Sequence, residues 1–268
     1  MKKPSLAVII STYNAPGYLQ RVLEGYAKQR CLPDELLIAD DGSTSETAQV
    51  IAEFAAIAPF QVRHVWHEDR GFRLAEIRNR AIATAASDYL IFSDGDCIPH
   101  PQFVEDHRRI MQPGCFVTGK RMLVGKELSP DFCWTGALAA CKQCLSGSLS
   151  GAHHLLRLPW LVRERQGVMG LRGCNMAMYR ADALAVNGYN EQIVGWGRED
   201  SEIVARLFAF GLRRREAPFA AMVFHLWHQE NSRDSLTEND RLLQESMRSG
   251  NYRCSCGISK DALGGTEP

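Results

Sequence analysis

The first hundred residues alternate short apolar runs with segments of helical periodicity, and this order limits the possible folds more than any other feature. The apolar runs Leu6–Ile10 and Leu36–Ala39 are typical of strands that are buried on both faces of a sheet. Val62–Trp66 and Tyr89–Phe92 predict a third and a fourth strand. A β-α-β-α-β-α-β order requires right-handed crossovers and gives a parallel sheet, so we predict an α/β domain.

The three segments between these runs repeat apolar residues at helical spacing, which predicts three helices. The second helix is preceded by Ser43-x-x-Glu46, a pattern typical of a capping box. The predicted inward faces are Tyr18, Leu19, Val22, Leu23 and Tyr26 in the first helix, Val50, Ile51, Phe54 and Ile57 in the second, and Leu74, Ile77, Ala81 and Ile82 in the third.

Polar motifs follow three of the predicted strands at the point where each strand ends. They are Ser11-Thr12-Tyr13-Asn14, Asp40-Asp41-Gly42-Ser43 and Ser93-Asp94-Gly95-Asp96. Because ligands bind at the carboxyl ends of the strands in such sheets, the three motifs predict one binding site at this edge. The sequence has no G-x-G-x-x-G after the first strand, which disfavours a dinucleotide site.

Composition and apolar run lengths narrow the class of protein. The chain has 268 residues, is 45% hydrophobic and has a formal net charge of zero, so bulk electrostatics predicts no nucleic-acid binding. The apolar runs are too short for a transmembrane helix or a signal sequence, which predicts a cytoplasmic protein. The polar, Gly-rich tail after residue 250 is expected to be loosely held.

The cysteines and the basic segments leave alternatives open. Nine scattered cysteines suit reduced thiols, although Cys141-x-x-Cys144 and Cys254-x-Cys256 could together supply four thiolates to zinc. No acidic residue lies between Asp131 and Glu164. This stretch could face a phosphate-rich ligand or an anionic membrane surface, or it could be balanced by acids elsewhere in the fold. The stretch includes or borders these basic and apolar residues: Lys142, Arg157, Arg163, Arg165, Leu155, Leu156, Leu158, Trp160 and Leu161.

Three further sets of residues suit the chemistry of a phosphate-bearing ligand. Asp94-Gly95-Asp96 places two carboxylates on a tight turn, and hard divalent cations share such oxygens with substrate phosphates. An EF-hand loop from Asp94 is excluded because Pro99 stands where that loop requires Gly. His225-x-x-His228 supplies either a metal ligand with a neighbour or two structural histidines. Arg78 lies on the third helix, whose exposed side could reach a diphosphate.

The segment 195–202 places a tryptophan between two glycines, ahead of an acidic cluster. Glycine allows close approach to a ligand, and Trp196 offers a flat face on which a sugar ring can lie. A carboxylate beside it can accept a proton from a hydroxyl. The positive end of the predicted helix should favour ionised Glu199 and Asp200, and an ordinary acidic helix start is the alternative interpretation.

In combination, these motifs resemble those of a known enzyme family. The N-terminal half looks like the nucleotide-sugar-binding half of glycosyltransferase family 2, which has the GT-A fold, a Rossmann-like, mostly parallel sheet flanked by helices. The C-terminal half is similar to the β-1,4-galactosyltransferase C-terminal region. The resemblance covers roughly residues 5–235 and implies a single domain over residues 1–250, with a nucleotide-sugar-binding half (1–100), an acceptor-binding and catalytic half (101–250), and a tail over 251–268.

The resemblance also implies a role for each motif. Asp41 would hydrogen-bond the nucleotide base, and Asp200 would be the general base, with Glu199 and Trp196 shaping the acceptor subsite. The residues implied at the nucleotide-sugar are Thr12, Tyr13, Asn14, Asp41, Arg78 and Asp94, and those implied at Mn²⁺ or Mg²⁺ are Asp96, His225 and His228. This sequence departs from the family pattern at Arg198, where relatives often have Gly, and at Ser201, where they often have a carboxylate.

A single base and no covalent nucleophile predict an inverting reaction. The expected function is the transfer of a sugar from a nucleotide-sugar, for which UDP is the expected carrier, to a saccharide or lipid-linked acceptor. The product would belong to cell-surface polysaccharide or lipopolysaccharide. The chain would lie in the cytoplasm, with possible peripheral contact at the inner face of the membrane. Two other hypotheses remain at this stage: a nucleotidyltransferase, and a non-catalytic sugar-nucleotide-binding subunit of an envelope assembly.

Overall fold

The computed structural model of the chain describes residues 3–168, 170–229 and 232–259. Its N-terminal part contains four parallel strands and the three helices that connect them. The strands are β1 Leu6–Thr12, β2 Glu35–Asp40, β3 Gln61–Trp66 and β4 Tyr89–Asp94, and the helices are α1 Pro16–Ala27, α2 Ser45–Ala55 and α3 Leu74–Thr84. The strands lie in the order β3-β2-β1-β4. All seven predicted elements are therefore present, and the four strands agree with their predicted bounds to within two residues.

The C-terminal part extends this sheet and adds a smaller one. The helices are α4 Phe103–Ile110, α5 Ala137–Leu145, α6 Arg180–Ala185, α7 Glu199–Ala209 and α8 Leu236–Ser249. The strands are β5 Cys97–Pro99, β6 Cys115–Thr118, β7 Lys120–Val124, β8 Leu149–Ser150, β9 Arg163–Arg165, β10 Met176–Tyr179, β11 Arg213–Glu216 and β12 Met222–His225. In the described residues the larger sheet has the order β3-β2-β1-β4-β10-β6-β11-β9 and the smaller one β5-β12-β7-β8.

The large sheet is mostly parallel, as the α/β class predicts. Antiparallel pairing occurs where β10 lies between β4 and β6, and where β9 closes the edge beside β11. This arrangement returns the C-terminal half of the chain to the strand-end edge of β1 and β4. The acidic start of α7 and the histidines after β12 are thereby brought to the edge that carries the aspartates.

The core lies on both faces of the sheet, which explains why β1 is apolar throughout. Leu6, Val8 and Ile10 pack in the cluster that contains the inward residues of α1 and α2. Ala7 and Ile9 point the other way, into the cluster that contains residues of α3 and α7. Since neither face meets water, alternation of polar and apolar residues is lost. Burial of each Leu or Ile contributes about 1.5–3 kcal/mol to folding.

Two local predictions around α2 are wrong. The helix begins at Ser45 with Thr44 at the N-cap, and no side chain caps it. Ser43 instead accepts a hydrogen bond at its hydroxyl from the backbone N–H of Asn14, at 2.8 Å, because it lies in the buried strand-end loop. Ile57 follows the end of the helix and is 81% exposed rather than inward.

The segment after Gly250 is packed rather than loosely held over its described part. The side-chain amide of Asn187 donates hydrogen bonds to the carbonyls of Cys254 and Ser259, at 2.8 and 2.9 Å. Cys254 is buried, and Gly257 lies so close to the backbone of Asn187 that a side chain would not fit. Residues 260–268, the rest of the predicted tail, lie outside the described residues.

Candidate active site

Arg78 joins the two halves of the site. It lies on α3 and is 1% exposed, with its Nη2 3.1 Å from Asp94 Oδ1 and its Nη1 2.9 Å from Asp200 Oδ1. Its Nε donates to the hydroxyl of Ser11 at 3.1 Å. The prediction that Arg78 lies on the exposed side of the helix is wrong, because the guanidinium points inward, over the ring of buried Tyr189. One arginine thus holds a carboxylate from the end of β4 and another from the start of α7.

The loop before α7 places its acidic residues by unusual backbone geometry. Gly195 and Gly197 have positive φ angles, and so does Arg198, with φ of 78°. Glycine takes this conformation without strain, whereas arginine does so at a cost. The Arg198 side chain forms an ion pair with Asp240 of α8. Trp196, 40% exposed, lies in the same loop beneath the guanidinium of Arg233.

Glu199 and Asp200 differ sharply in their surroundings. Burial, reinforced by the charge of Asp200, raises the pKa of Glu199 to about 8, so most of this carboxyl is protonated at neutral pH. The prediction that the helix start keeps Glu199 ionised is wrong, since desolvation outweighs the helix dipole. Glu199 Oε2 is buried and has no hydrogen-bond partner among the described residues. Asp200 is 18% exposed at its side chain and anchored by Arg78.

Three predicted metal ligands converge beside Asp94. Nε2 of His228 lies 3.1 Å and Nε2 of His225 3.7 Å from Oδ2 of Asp96, and the three side chains have ligand atoms within 4.8 Å of one another. His228 Nδ1 lies 2.8 Å from the carbonyl of Gln229, which suits a ring that donates there and keeps Nε2 for a metal. The residues present therefore fit a divalent cation.

The pKa values of Asp96, His225 and His228 are shifted by burial and by the interactions among the three side chains. Burial alone would raise the pKa of Asp96, but the hydrogen bond with His228 and the charges of both histidines lower it. The hydrogen bond with Asp96 raises the pKa of His228 to about 9. Burial lowers the pKa of His225. A bound cation would take the place of the His228 proton, because metal ligands must be deprotonated.

A second group of metal-type ligands lies next to the first, and the sequence did not indicate it. Asp94, Cys97 and Cys174 have ligand atoms within 4.8 Å of one another, and both thiols are buried. Neither of the two clusters found in the described residues includes the four cysteines proposed from their spacing as a zinc site, namely Cys141, Cys144, Cys254 and Cys256. Cys254 is buried and packs against backbone carbonyls around Asn187.

The residues that are predicted to contact the nucleotide lie at the ends of β1 and β2. Asp41 is buried, and its carboxylate meets His67 Nε2 at 2.7 Å and the backbone N–H of Arg73 at 2.8 Å. Burial raises the pKa of Asp41 despite these contacts. His67 gave no signal in the sequence because its partner lies 26 residues away.

The other predicted base contacts lie in the loop after β1. The hydroxyl of Thr12 is buried and has no hydrogen-bond partner in the described part of the chain. Tyr13 is half exposed and bonds its hydroxyl to Asp69 at 2.9 Å, while Asn14 accepts the backbone N–H of Thr44. Thr12, Tyr13, Asn14 and Asp41 therefore share one sheet edge.

A mostly parallel α/β sheet with carboxylates and histidines at its strand ends, facing a glycine-flanked tryptophan and a carboxylate, defines a nucleotide-sugar transferase fold of the GT-A type. Comparison with known proteins agrees with this class. Residues 7–132 match the model of "Glycosyl transferase family 2", and residues 161–229 match the model described as "N-terminal domain of galactosyltransferase". The predicted resemblance to glycosyltransferase family 2 is therefore confirmed over residues 7–132, and the C-terminal half is similar to galactosyltransferases over residues 161–229.

Individual relatives support the same relationship. Validoxylamine A glucosyltransferase of Streptomyces hygroscopicus subsp. limoneus is 28% identical over 236 residues, covering 78% of this chain and 49% of the relative. Chondroitin synthase of Escherichia coli is 24% identical, covering 82% of this chain and 34% of the relative. The chain thus spans about half or less of the length of these relatives.

A solved structure shows the fold itself. The structure of S. aureus TarS 1-349 in complex with UDP-GlcNAc superposes with a TM-score of 0.64 at 16% identity, covering 90% of this chain and 66% of that chain. The GT-A fold class is thereby confirmed.

Replacing Gly173 by Ala should displace Asp200. A Cβ at Gly173 would lie 2.0 Å from Asp200 Oδ2, so the carboxylate would have to move. Asp200 is the predicted general base, and small misplacements of a reacting group are costly, so we expect kcat to fall by about tenfold or more at unchanged donor affinity. Steady-state kinetics and donor binding by calorimetry measure the two effects. Gly17→Ala is the matched control, since nothing lies within 4 Å of its added Cβ, and an unaltered kcat for Gly173→Ala would contradict the predicted displacement.

Proposed function

We propose that this chain is an inverting, metal-dependent glycosyltransferase that moves a sugar from a nucleotide-linked donor to a saccharide or lipid-linked acceptor in the synthesis of cell-surface polysaccharide or lipopolysaccharide. One observation carries the proposal. Arg78 binds both Asp94, beside the predicted metal ligands, and Asp200, beside the acceptor-side tryptophan loop. A donor-side carboxylate and a candidate base thus lie against the same guanidinium.

The donor set of the triad supports metal dependence and the choice of ion. Asp96 offers oxygen, and His225 and His228 offer imidazole nitrogen. Mg²⁺ takes oxygen ligands and keeps several waters, so two imidazoles favour a transition ion such as Mn²⁺. Bound there, the ion would neutralise charge on the diphosphate leaving group.

The protein's own groups would carry the proton and orient the acceptor. Asp200 accepts the proton of the attacking hydroxyl while the hydroxyl oxygen bonds to the anomeric carbon. The bond from that carbon to the nucleoside diphosphate breaks on the opposite face, and the electron pair leaves with the phosphate. An α-linked donor therefore gives a β-glycoside. Glu199, protonated at neutral pH, can donate a hydrogen bond to the acceptor but is not available as a base.

The surroundings of Asp41, the residue predicted to contact the nucleotide base, support UDP as the carrier. Asp41 uses each carboxylate oxygen once, towards His67 and Arg73, and a carboxylate has about four acceptor positions. It can therefore still accept the imide N–H of uracil. The similar TarS structure holds UDP-GlcNAc, which agrees with a uridine carrier.

Incubation with a panel of UDP-sugars, Mn²⁺ and saccharide acceptors tests the proposed function. Release of UDP together with a β-linked product, identified by NMR of the anomeric proton, is the expected result. An α-linked product from an α-linked donor would contradict inversion. Release of pyrophosphate would instead indicate nucleotidyl transfer, and binding without any product would indicate a non-catalytic subunit.

An apolar surface with basic residues supports a lipid-linked acceptor and peripheral membrane contact. On α5, Leu138 and Leu145 are 83% and 88% exposed, and Lys142 lies between them. Trp160 is 77% exposed. Other residues of the predicted membrane segment have partners within the fold, because Arg157 pairs with Asp106, Arg165 contacts Glu216 and Leu155 packs against the core. The described part of the chain contains no helix with the length and apolar character that a membrane crossing requires.

Vesicle binding should depend on this α5 surface. We expect more protein to sediment with anionic than with neutral vesicles at low salt, because a basic residue near an anionic surface contributes about 1 kcal/mol that salt screens. Replacing Leu138 and Leu145 by Ser, or Lys142 and Arg163 by Gln, should weaken sedimentation. Ile57→Ser is the control, since Ile57 is equally exposed but lies after α2. Equal sedimentation with anionic and neutral vesicles would exclude this contact.

A further inference from the structure

Arg121 is a second guanidinium at the site, and neither the motifs nor the family relationship indicated it. It lies on β7, next to β12, the strand that ends at His225. Its Nη1 is 3.9 Å from the Sγ of Cys174, and that sulfur lies within 4.8 Å of the Asp94 carboxylate. Its positive charge also acts on His225. Arg121 therefore lies near enough to Asp94 and to His225 for its charge to act on both.

The other arginine of the site, Arg78, is buried and already binds two carboxylates. Arg78 donates from Nε, Nη1 and Nη2 to Ser11, Asp200 and Asp94, and it is 1% exposed. A diphosphate could reach it only by displacing a carboxylate that the proposed reaction needs. Arg78 thus organises the carboxylates and leaves the phosphate charge to another cation.

Arg121, unlike Arg78, forms no ion pair with a carboxylate in the described part of the chain, so its N–H donors can bind a ligand. A guanidinium carries five N–H donors, and in the described part of the chain Arg121 makes one hydrogen bond, to a thiol, which is a weak acceptor. No carboxylate forms an ion pair with it among the described residues, although it is half-buried. A half-buried charge is stabilised by an anion, and a planar fork of donors suits phosphate oxygens.

We infer that Arg121 binds the diphosphate of the nucleotide-sugar donor, with Cys174 directing its guanidinium toward the cleft. This inference rests on the proposed function and adds a protein cation to the predicted metal. As the bond to the sugar breaks, negative charge grows on the phosphate that leaves. Arg121 would stabilise that charge from a fixed position.

The test compares nucleotides that differ in phosphate number. Affinities of UDP, UMP and uridine are measured by calorimetry in Mn²⁺ for the wild type, Arg121→Gln and Arg121→Lys. Loss of a charge-assisted hydrogen bond predicts an affinity for UDP that is about tenfold to a hundredfold lower in Arg121→Gln. Uridine affinity should change by less than about threefold, and Arg121→Lys should be intermediate, since lysine keeps the charge but not the fork. Arg30→Gln, at an exposed arginine after α1, should bind as the wild type does.

The outcomes separate this inference from the proposed function. UDP binding by the wild type with unchanged binding by Arg121→Gln would refute the role of Arg121 and leave the proposed function standing. An equal loss for uridine and UDP, or a lowered melting temperature, would assign Arg121 a structural role instead. An effect confined to a UDP-sugar that carries a carboxylate would place the contact at the sugar and contradict a diphosphate contact. Failure of the wild type to bind UDP would contradict both proposals.

Discussion

Replacing Asp200 by Asn is expected to lower the rate of sugar transfer at least about a hundredfold while donor binding survives. Asparagine is nearly isosteric and keeps an oxygen that can accept the hydrogen bond from Arg78, so the geometry of the cleft should be retained. It cannot accept the proton of the acceptor hydroxyl. Single-turnover transfer with a saturating donor, together with calorimetry of UDP binding, separates the two effects.

Glu199→Gln is the matched control for this prediction. Because burial raises the pKa of Glu199 to about 8, glutamine resembles the protonated form that dominates at neutral pH. The transfer rate of this variant should therefore fall far less than that of Asp200→Asn. Near-normal transfer by Asp200→Asn, or an equal loss in Glu199→Gln, would remove Asp200 from the role of base.

Asp96→Ala should abolish turnover and most metal-dependent nucleotide binding. Asp96 is the predicted oxygen ligand of the triad and the group that both histidines face, so its loss would remove the carboxylate that the cation is proposed to bind. The charge of the diphosphate would then lack its counterion. UDP affinity is measured with Mn²⁺ and with EDTA, and in EDTA the wild type should resemble the variant.

Asp131→Ala provides the comparison for Asp96→Ala, because Asp131 is exposed and belongs to neither cluster of metal-type ligands found in the described residues. Its UDP affinity should stay dependent on Mn²⁺. If the UDP affinity of the wild type is the same in EDTA as in Mn²⁺, the metal role assigned to Asp96, His225 and His228 is wrong.

Local periodicity was enough to predict the N-terminal half of the fold. The β1 run is apolar because both of its faces are buried, and the helices repeat their apolar residues because one face of each packs on the sheet. This signal weakens after about residue 100, since the strands there are short and several pair with distant partners. β10, for example, lies antiparallel between β4 and β6.

The sequence by itself determined that the polar motifs after β1, β2 and β4 meet, because the ends of parallel strands share one edge of the sheet. The family resemblance implied that Asp96, His225 and His228 belong together, and the structure brings their ligand atoms within 4.8 Å of one another. Tertiary structure alone decided how those groups behave. Arg78 turned inward because carboxylates 16 and 122 residues away bind it. Burial raises the pKa of Glu199 to about 8, which outweighs the preference for an ionised carboxylate at the N-terminus of α7. The contact of Gly173 with Asp200 and the open donors of Arg121 likewise depend on distances between residues remote in the chain, which local patterns do not encode.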